Sequence, residues 1–169
     1  HALDAIRTNY AAGIRRVVLH LATGAGKTHI FCHMLKAAYQ RGKPTLVVVR
    51  GIKLIEQASD RLTAEGVPHG IYQGAASRDS HHLVQVCSIE TLYRRKIAPP
   101  AEFLVIDECH QTSGTGYEWF LAQYPGVFLL GVSATPHLRR GMRHVADAVV
   151  YPISIAELIN QGYLVPPRY

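Results

Sequence analysis

Five short apolar runs, each separated from the next by a longer amphipathic stretch, restrict this chain to few folds. The runs are RVVLHL (16–21), TLVVV (45–49), LVQVC (83–87), FLVID (103–107) and VFLLGV (127–132). They are too continuous for strands with one wet face, and they read as strands buried on both sides, as in a parallel sheet covered by helices. The stretches 2–12, 27–41, 52–65, 88–95 and 116–123 carry helical periodicity and supply that cover. Strand–helix alternation of this kind predicts an α/β domain with a mostly parallel central sheet and helices on both faces.

The punctuation agrees. Gly42 and Pro44 close the second helix, Gly66 and Pro68 the third, and APPAE (98–102) precedes the fourth strand. Thr115 is placed to cap the helix through Trp119, which Pro125-Gly126 ends. Residues 1–150 are expected to form one domain. Residues 151–169 hold a short helix ended by Gly162 and then extend past Pro166-Pro167, which reads as an exit segment. The first residue is His, so the chain is expected to be a piece of a longer protein.

Composition limits the function classes. At 48% hydrophobic and 18% charged residues the chain is globular rather than disordered. No apolar run approaches the roughly 20 residues of a spanning helix, so a cytoplasmic or nucleoid-associated protein is expected. Three cysteines, Cys32, Cys87 and Cys109, without CxxC spacing argue against a disulfide framework or zinc knuckle. A net charge of +6 and clusters such as Arg94-Arg95-Lys96 point toward nucleic acid, although solvated surface charge explains them equally well.

LHLATGAGKTHIF reads as strand, glycine-rich turn and helix. That is the setting in which Ala22, Thr23, Gly24, Ala25 and Gly26 would cradle phosphates with backbone N–H groups. The helix adds its positive N-terminal end. Lys27 would reach the β- and γ-phosphates, and Thr28 would ligate Mg²⁺. The strict pattern asks for Gly where Leu21 stands, so Leu21 is expected to point inward to the sheet.

VIDECHQT (105–112) sets Asp, Glu, Cys and His in a row after a strand. Alone it admits a metal site, a Cys–His nucleophile pair or a carboxylate site. The phosphate loop upstream favours the last. Asp107 would hold Mg²⁺ and Glu108 would polarise the attacking water, with Cys109 a small packed side chain.

LATGAGKT (21–28), DECH (107–110) and SATP (133–136), in this order, resemble motifs I, II and III of superfamily 2 helicases and translocases of the DExH type. VVVRGIKLIEQ (47–57) and CSIETL (87–92) are similar to motifs Ia and Ib, more loosely. The resemblance extends to restriction-enzyme motor subunits and DNA-repair translocases. It implies the first of two RecA-like P-loop NTPase domains, with ATP and Mg²⁺ between them. It also implies nucleic acid as partner, DNA before RNA, a second RecA-like domain of the same parent chain, and a monomeric, non-membrane fragment. Ser133, Ala134 and Thr135 would couple nucleotide state to nucleic acid, and His110 would contact that motif or the second domain across the cleft. Arg50, Gln57, Ser88, Thr91 and Arg94 would lie along the nucleic acid, while Tyr93 is expected to pack. The family's adenine-reading glutamine would precede His1, and its arginine fingers belong to the second domain, so the isolated domain is expected to hydrolyse ATP hardly at all. Two other classes share part of this pattern: a P-loop NTPase that does not act on nucleic acid, and a non-catalytic nucleic-acid-binding module.

Overall fold

The computed structural model describes residues 2–21, 26–73, 79, 81–112, 114–134 and 145–151. Among them the chain runs α1 (Ala2–Ala11), β1 (Arg16–His20), α2 (Lys27–Gln40), β2 (Thr45–Val49), α3 (Ile52–Ala64), β3 (Gly70–Tyr72) and β4 (Val84–Ser88). It continues with α4 (Ile89–Arg95), β5 (Phe103–Ile106), a single 3₁₀ turn (Cys109–Gln111), α5 (Thr115–Ala122), β6 (Phe128–Ser133) and β7 (Ala148–Val150). The strands form one sheet in the order β3-β4-β2-β5-β6-β1-β7, every pairing parallel.

The five apolar runs are all strands, and their side chains alternate between two cores as a period of two requires. Val17, Leu19, Val47, Val49, Val105 and Val132 face one side, where Ile6 of α1, Phe31 and Leu35 of α2, and Ile55 and Leu62 of α3 cover them. Val18, Leu46, Val48, Leu104, Ile106 and Leu129 face the other, under Leu92 of α4 and Phe120 and Leu121 of α5. Near-continuous apolar composition is the consequence of burying both faces.

Two strands, β3 and β7, go beyond the sequence expectation. Each has only three residues, too few to stand out as a strand on its own. They are defined by pairing, β3 along β4 and β7 along β1, at the two edges of the sheet. Thr115 does not cap α5: Gly114 holds that position, and the Thr115 side chain bonds Tyr93 instead. Residues 152–169, with nearly all of the expected exit segment, lie outside the described residues.

Cys109 is fully buried and packs on Gly131, the middle of β6. A methyl group on Gly131 would come within 2.8 Å of Val18 Cγ2 and 3.0 Å of Cys109 Sγ. Overpacking of this kind costs about 1–3 kcal/mol. Gly131→Ala is therefore expected to lower the thermal midpoint by several degrees. Cys109→Ala in the same chain should recover part of the loss, since it removes Sγ but leaves Val18 Cγ2 and the residue-109 Cβ at 3.2 Å; calorimetry of the double-mutant cycle checks this.

Candidate active site

The strand order puts the ends of β1, β6 and β5 side by side. Leu21, just past β1, donates its N–H to the Ser133 carbonyl at 3.0 Å, and the pairing of Ile106 with Gly131 sets β5 against the other side of β6. The phosphate-loop helix, the DECH turn and the start of SATP therefore meet on one edge. In open α/β sheets this carboxyl edge is where ligands bind.

Leu21 is 2% exposed and sits in the core, as its place in the loop demands. Gly26 opens α2 with φ 82° and ψ 18°, a left-handed conformation that suits a residue without Cβ. Among the described residues no side chain caps α2, and its first turn holds no acidic residue, a setting that suits an anionic ligand. Ala22, Thr23, Gly24 and Ala25 lie outside the described residues. Lys27 Nζ donates to the Leu21 carbonyl at 3.1 Å. Burial lowers its pKa, while the carboxylates of Glu108 and Asp107 act the other way. Thr28 is half-buried in the first turn of α2.

The DECH turn is held open by its backbone. Glu108 has φ 48° and ψ 46°, a left-handed conformation costly for a residue with a side chain. Its N–H donates to Asp107 Oδ1 at 3.0 Å. Burial raises the Asp107 pKa, and the neighbouring Glu108 charge raises it further; Arg61 and Lys27 offset part of this. His110 Nδ1 lies 3.3 Å from Glu108 Oε2 and 3.1 Å from Ser133 Oγ, so one imidazole bridges the DECH and SATP segments. Ser133 is fully buried. Ala134 follows it, half-buried, and Thr135 lies outside the described residues.

A raised folded pKa means that the folded state binds the Asp107 proton more tightly than the unfolded chain does. The penalty is absent below the ordinary carboxylate value, about 3.9, and present once the pH exceeds the raised value. Asp107→Asn should thus stabilise the fold near neutral pH, by about 2–4 °C for each 1 kcal/mol gained. The gain should fade in acid, and thermal melts at the two extremes measure it.

Two participants escape sequence reading. Arg61 of α3 places Nη1 3.5 Å from Asp107 Oδ2. His20, at the end of β1, is 8% exposed, and its Nε2 finds no partner among the described residues. Burial lowers the His20 pKa. Neither residue belongs to a local pattern.

A second concavity lies farther along the same edge. Gly51, Ile52 and Lys53 at the start of α3, and Ser88, Thr91, Arg94 and Arg95 at the start and outer face of α4, line a groove of about 740 Å³. Of the residues expected along nucleic acid, Thr91 and Arg94 line it with side chains available. Ser88 is 1% exposed and caps α4, accepting from the Thr91 N–H at 3.1 Å and donating to Thr91 Oγ1 at 2.9 Å. Arg50 lies 4.0 Å from Glu90, and Gln57 is exposed and outside the lining. Tyr93 packs edge-on against Trp119, with Lys96 Nζ 3.5 Å above its ring. It is half-buried on the surface between α4 and α5 rather than in the core.

The all-parallel sheet and its site-bearing edge define a domain of RecA-like fold. Residues 1–138 match the family described as type III restriction enzyme, res subunit, and the chain belongs to that family. It is 30% identical over 150 residues to the DNA 3'-5' translocase XPB2 of Sulfurisphaera tokodaii, a match covering 87% of this chain and 33% of that protein. The chain spans about a third or less of the length of the curated relatives it matches. Among solved structures it superposes on the UvsW helicase of bacteriophage T4 with a TM-score of 0.73 at 20% identity, over 90% of this chain and 60% of that one. It also superposes on the Hef helicase domain of Pyrococcus furiosus with a TM-score of 0.65 at 16% identity, over 86% and 36%. Among the described residues, no helix is long and apolar enough to cross a membrane.

Proposed function

We propose that this chain is the ATP-binding half of a nucleic-acid motor, in which hydrolysis of Mg²⁺–ATP drives movement along DNA. The observation that carries this reading is the meeting of Lys27, Asp107, Glu108, His110 and Ser133 on one sheet edge. The donor set suits the nucleotide and its cation. The uncapped α2 N-terminus and Lys27 suit phosphates, and the Thr28 hydroxyl and Asp107 carboxylate are hard oxygen ligands of the type Mg²⁺ takes. The cation would neutralise charge on the phosphates. Glu108 would accept the proton of the attacking water, and Lys27 would hold the β- and γ-phosphates. His110 would relay the state of that site to Ser133 and, with Ala134 and Thr135, to a second RecA-like domain. Such a domain supplies the arginine that phosphoryl transfer needs, worth about 10³–10⁵ in rate. Residues 151–169 would lead toward it.

The groove beside α3 and α4 would hold the nucleic-acid backbone. Lys53, Arg94 and Arg95 supply positive charge against the one carboxylate of Glu90, and no aromatic series lines it among the described residues, which suits tracking rather than base reading. DNA is favoured over RNA because XPB2 is named a DNA translocase. The fragment is taken as a monomer inside the cell.

The test is ATP hydrolysis by the whole protein without nucleic acid and with single-stranded DNA, duplex DNA or RNA. Stimulation by DNA above RNA is expected, and indifference to all three would sink the nucleic-acid reading. Reversing Arg94 and Arg95 to Glu should weaken oligonucleotide binding at least tenfold. The slope of log affinity against log salt should also fall, by about 0.7 for each single-strand phosphate that is no longer neutralised. Fluorescence anisotropy across a salt series reads both.

A further inference from the structure

Helix α3 touches both sites. Ile52 and Lys53 of its first turn line the basic groove, while Arg61 near its far end reaches Asp107. Lys53 and Arg61 are about 12 Å apart along the helix axis. The Asp107 side chain is 19% exposed and that of Arg61 50%.

Both oxygens of Asp107 are engaged. Oδ1 accepts the Glu108 N–H at 3.0 Å, and Oδ2 faces Arg61 Nη1 at 3.5 Å. The backbone donor belongs to the turn that shapes the site and is fixed with it. The guanidinium comes from another element and carries a charge that it cannot lose. A nucleotide-bound cation that draws on Oδ2 must displace Arg61 or share that oxygen with it, and one that draws on the free lone pair of Oδ1 still sits beside the like charge of the guanidinium, which is repulsive at such distances.

We propose that Arg61 is a positioning residue that holds the Asp107 carboxylate until Mg²⁺–nucleotide takes it, and that α3 thereby links nucleic acid in the groove to the metal site. The inference rests on the nucleotide and nucleic-acid readings above and adds how the two sites communicate within this one domain. A phosphate backbone seated against Ile52 and Lys53 bears on the first turn of α3. A helix moves as a stiff unit, so Arg61 shifts against Asp107. Weakening that contact lowers the cost of bringing Mg²⁺ to Asp107. By linkage, Mg²⁺–nucleotide then favours nucleic-acid binding by the same factor.

The experiment titrates Mg²⁺ against MANT-ADP fluorescence for this chain and for its Arg61→Ala, Arg61→Lys and Lys27→Ala variants, with and without a single-stranded DNA oligonucleotide. Arg61→Ala is expected to lower the half-saturating Mg²⁺ concentration about fivefold or more. Arg61→Lys, which keeps the charge, should stay near the parent. Oligonucleotide should lower the Mg²⁺ midpoint of the parent and leave that of Arg61→Ala unmoved. The half-exposed Arg61 predicts little change in thermal midpoint, so a merely structural role would not reproduce this pattern.

An unchanged or raised Mg²⁺ midpoint in Arg61→Ala overturns the inference while leaving the nucleotide reading intact. So does an oligonucleotide effect that persists without Arg61. MANT-ADP binding indifferent to Lys27→Ala overturns the nucleotide reading, and the inference with it.

Discussion

Replacing Glu108 by Gln should leave Mg²⁺–ATP bound and slow its hydrolysis about 10²–10⁴-fold, the usual worth of a positioned general base. Gln preserves the volume of the side chain and an oxygen within reach of His110, now 3.3 Å from Glu108 Oε2. What it removes is the capacity to take a proton. The backbone supports the assignment: Glu108 is kept at φ 48°, where a residue with a side chain is conformationally strained. The turn that imposes this also lets Glu108 N–H bond Asp107 Oδ1, so the two carboxylates are held as a pair with separate tasks. Single-turnover hydrolysis and nucleotide affinity, measured on the whole protein, separate the two effects. A variant that keeps more than a tenth of the parent rate would show that another group accepts the proton.

Lys27→Ala acts one step earlier, on binding. Its ammonium lies within electrostatic reach of both carboxylates and of Arg61, at the mouth of a helix with no cap of its own. Hydrogen bonds to charged groups are worth about 1.5–3 kcal/mol each. Without its bonds to two phosphates, nucleotide binding should thus weaken about 10²-fold or more. Stability should change little, because the ammonium is half-exposed and its bond to the Leu21 carbonyl can pass to water. Isothermal titration with ATP and a thermal melt on the same sample test both halves. Unchanged affinity would remove Lys27 from the phosphate site.

The sheet was legible in the chain because both of its faces are buried, which makes β1, β2, β5 and β6 readable as apolar runs without neighbours in view. β3 and β7 were not, since three residues at an edge owe their conformation to the strand beside them. The candidate site could be proposed from sequence because the residues of LATGAGKT and DECH are each contiguous, although 22–25 lie outside the described residues. Arg61 was hidden for the opposite reason: it meets Asp107 across 46 positions, and nothing local separates it from any other exposed helical arginine. Ser88 shows a third case. In sequence its hydroxyl reads as a backbone contact for nucleic acid, but the geometry commits it to the N-terminus of α4. Helix caps and phosphate ligands draw on the same residue types for the same reason, a need to meet N–H donors or offer them.

The strand order also dictates when the site can exist. The segment proposed to hold phosphate follows β1 and Asp107 follows β5, yet these strands do not pair; β6 lies between them and pairs with both. Pairings between strands so far apart in the chain close large loops and form late. During synthesis, a nascent chain that has released everything through β5 and the DECH turn already contains Lys27, Asp107, Glu108 and His110, but lacks the strand that pairs with both β1 and β5. Only when Phe128–Ser133 threads into the gap do they come together. On the proposed reading, ATP would bind well only once the sheet is complete and holds the Lys27 and Asp107 segments on one edge.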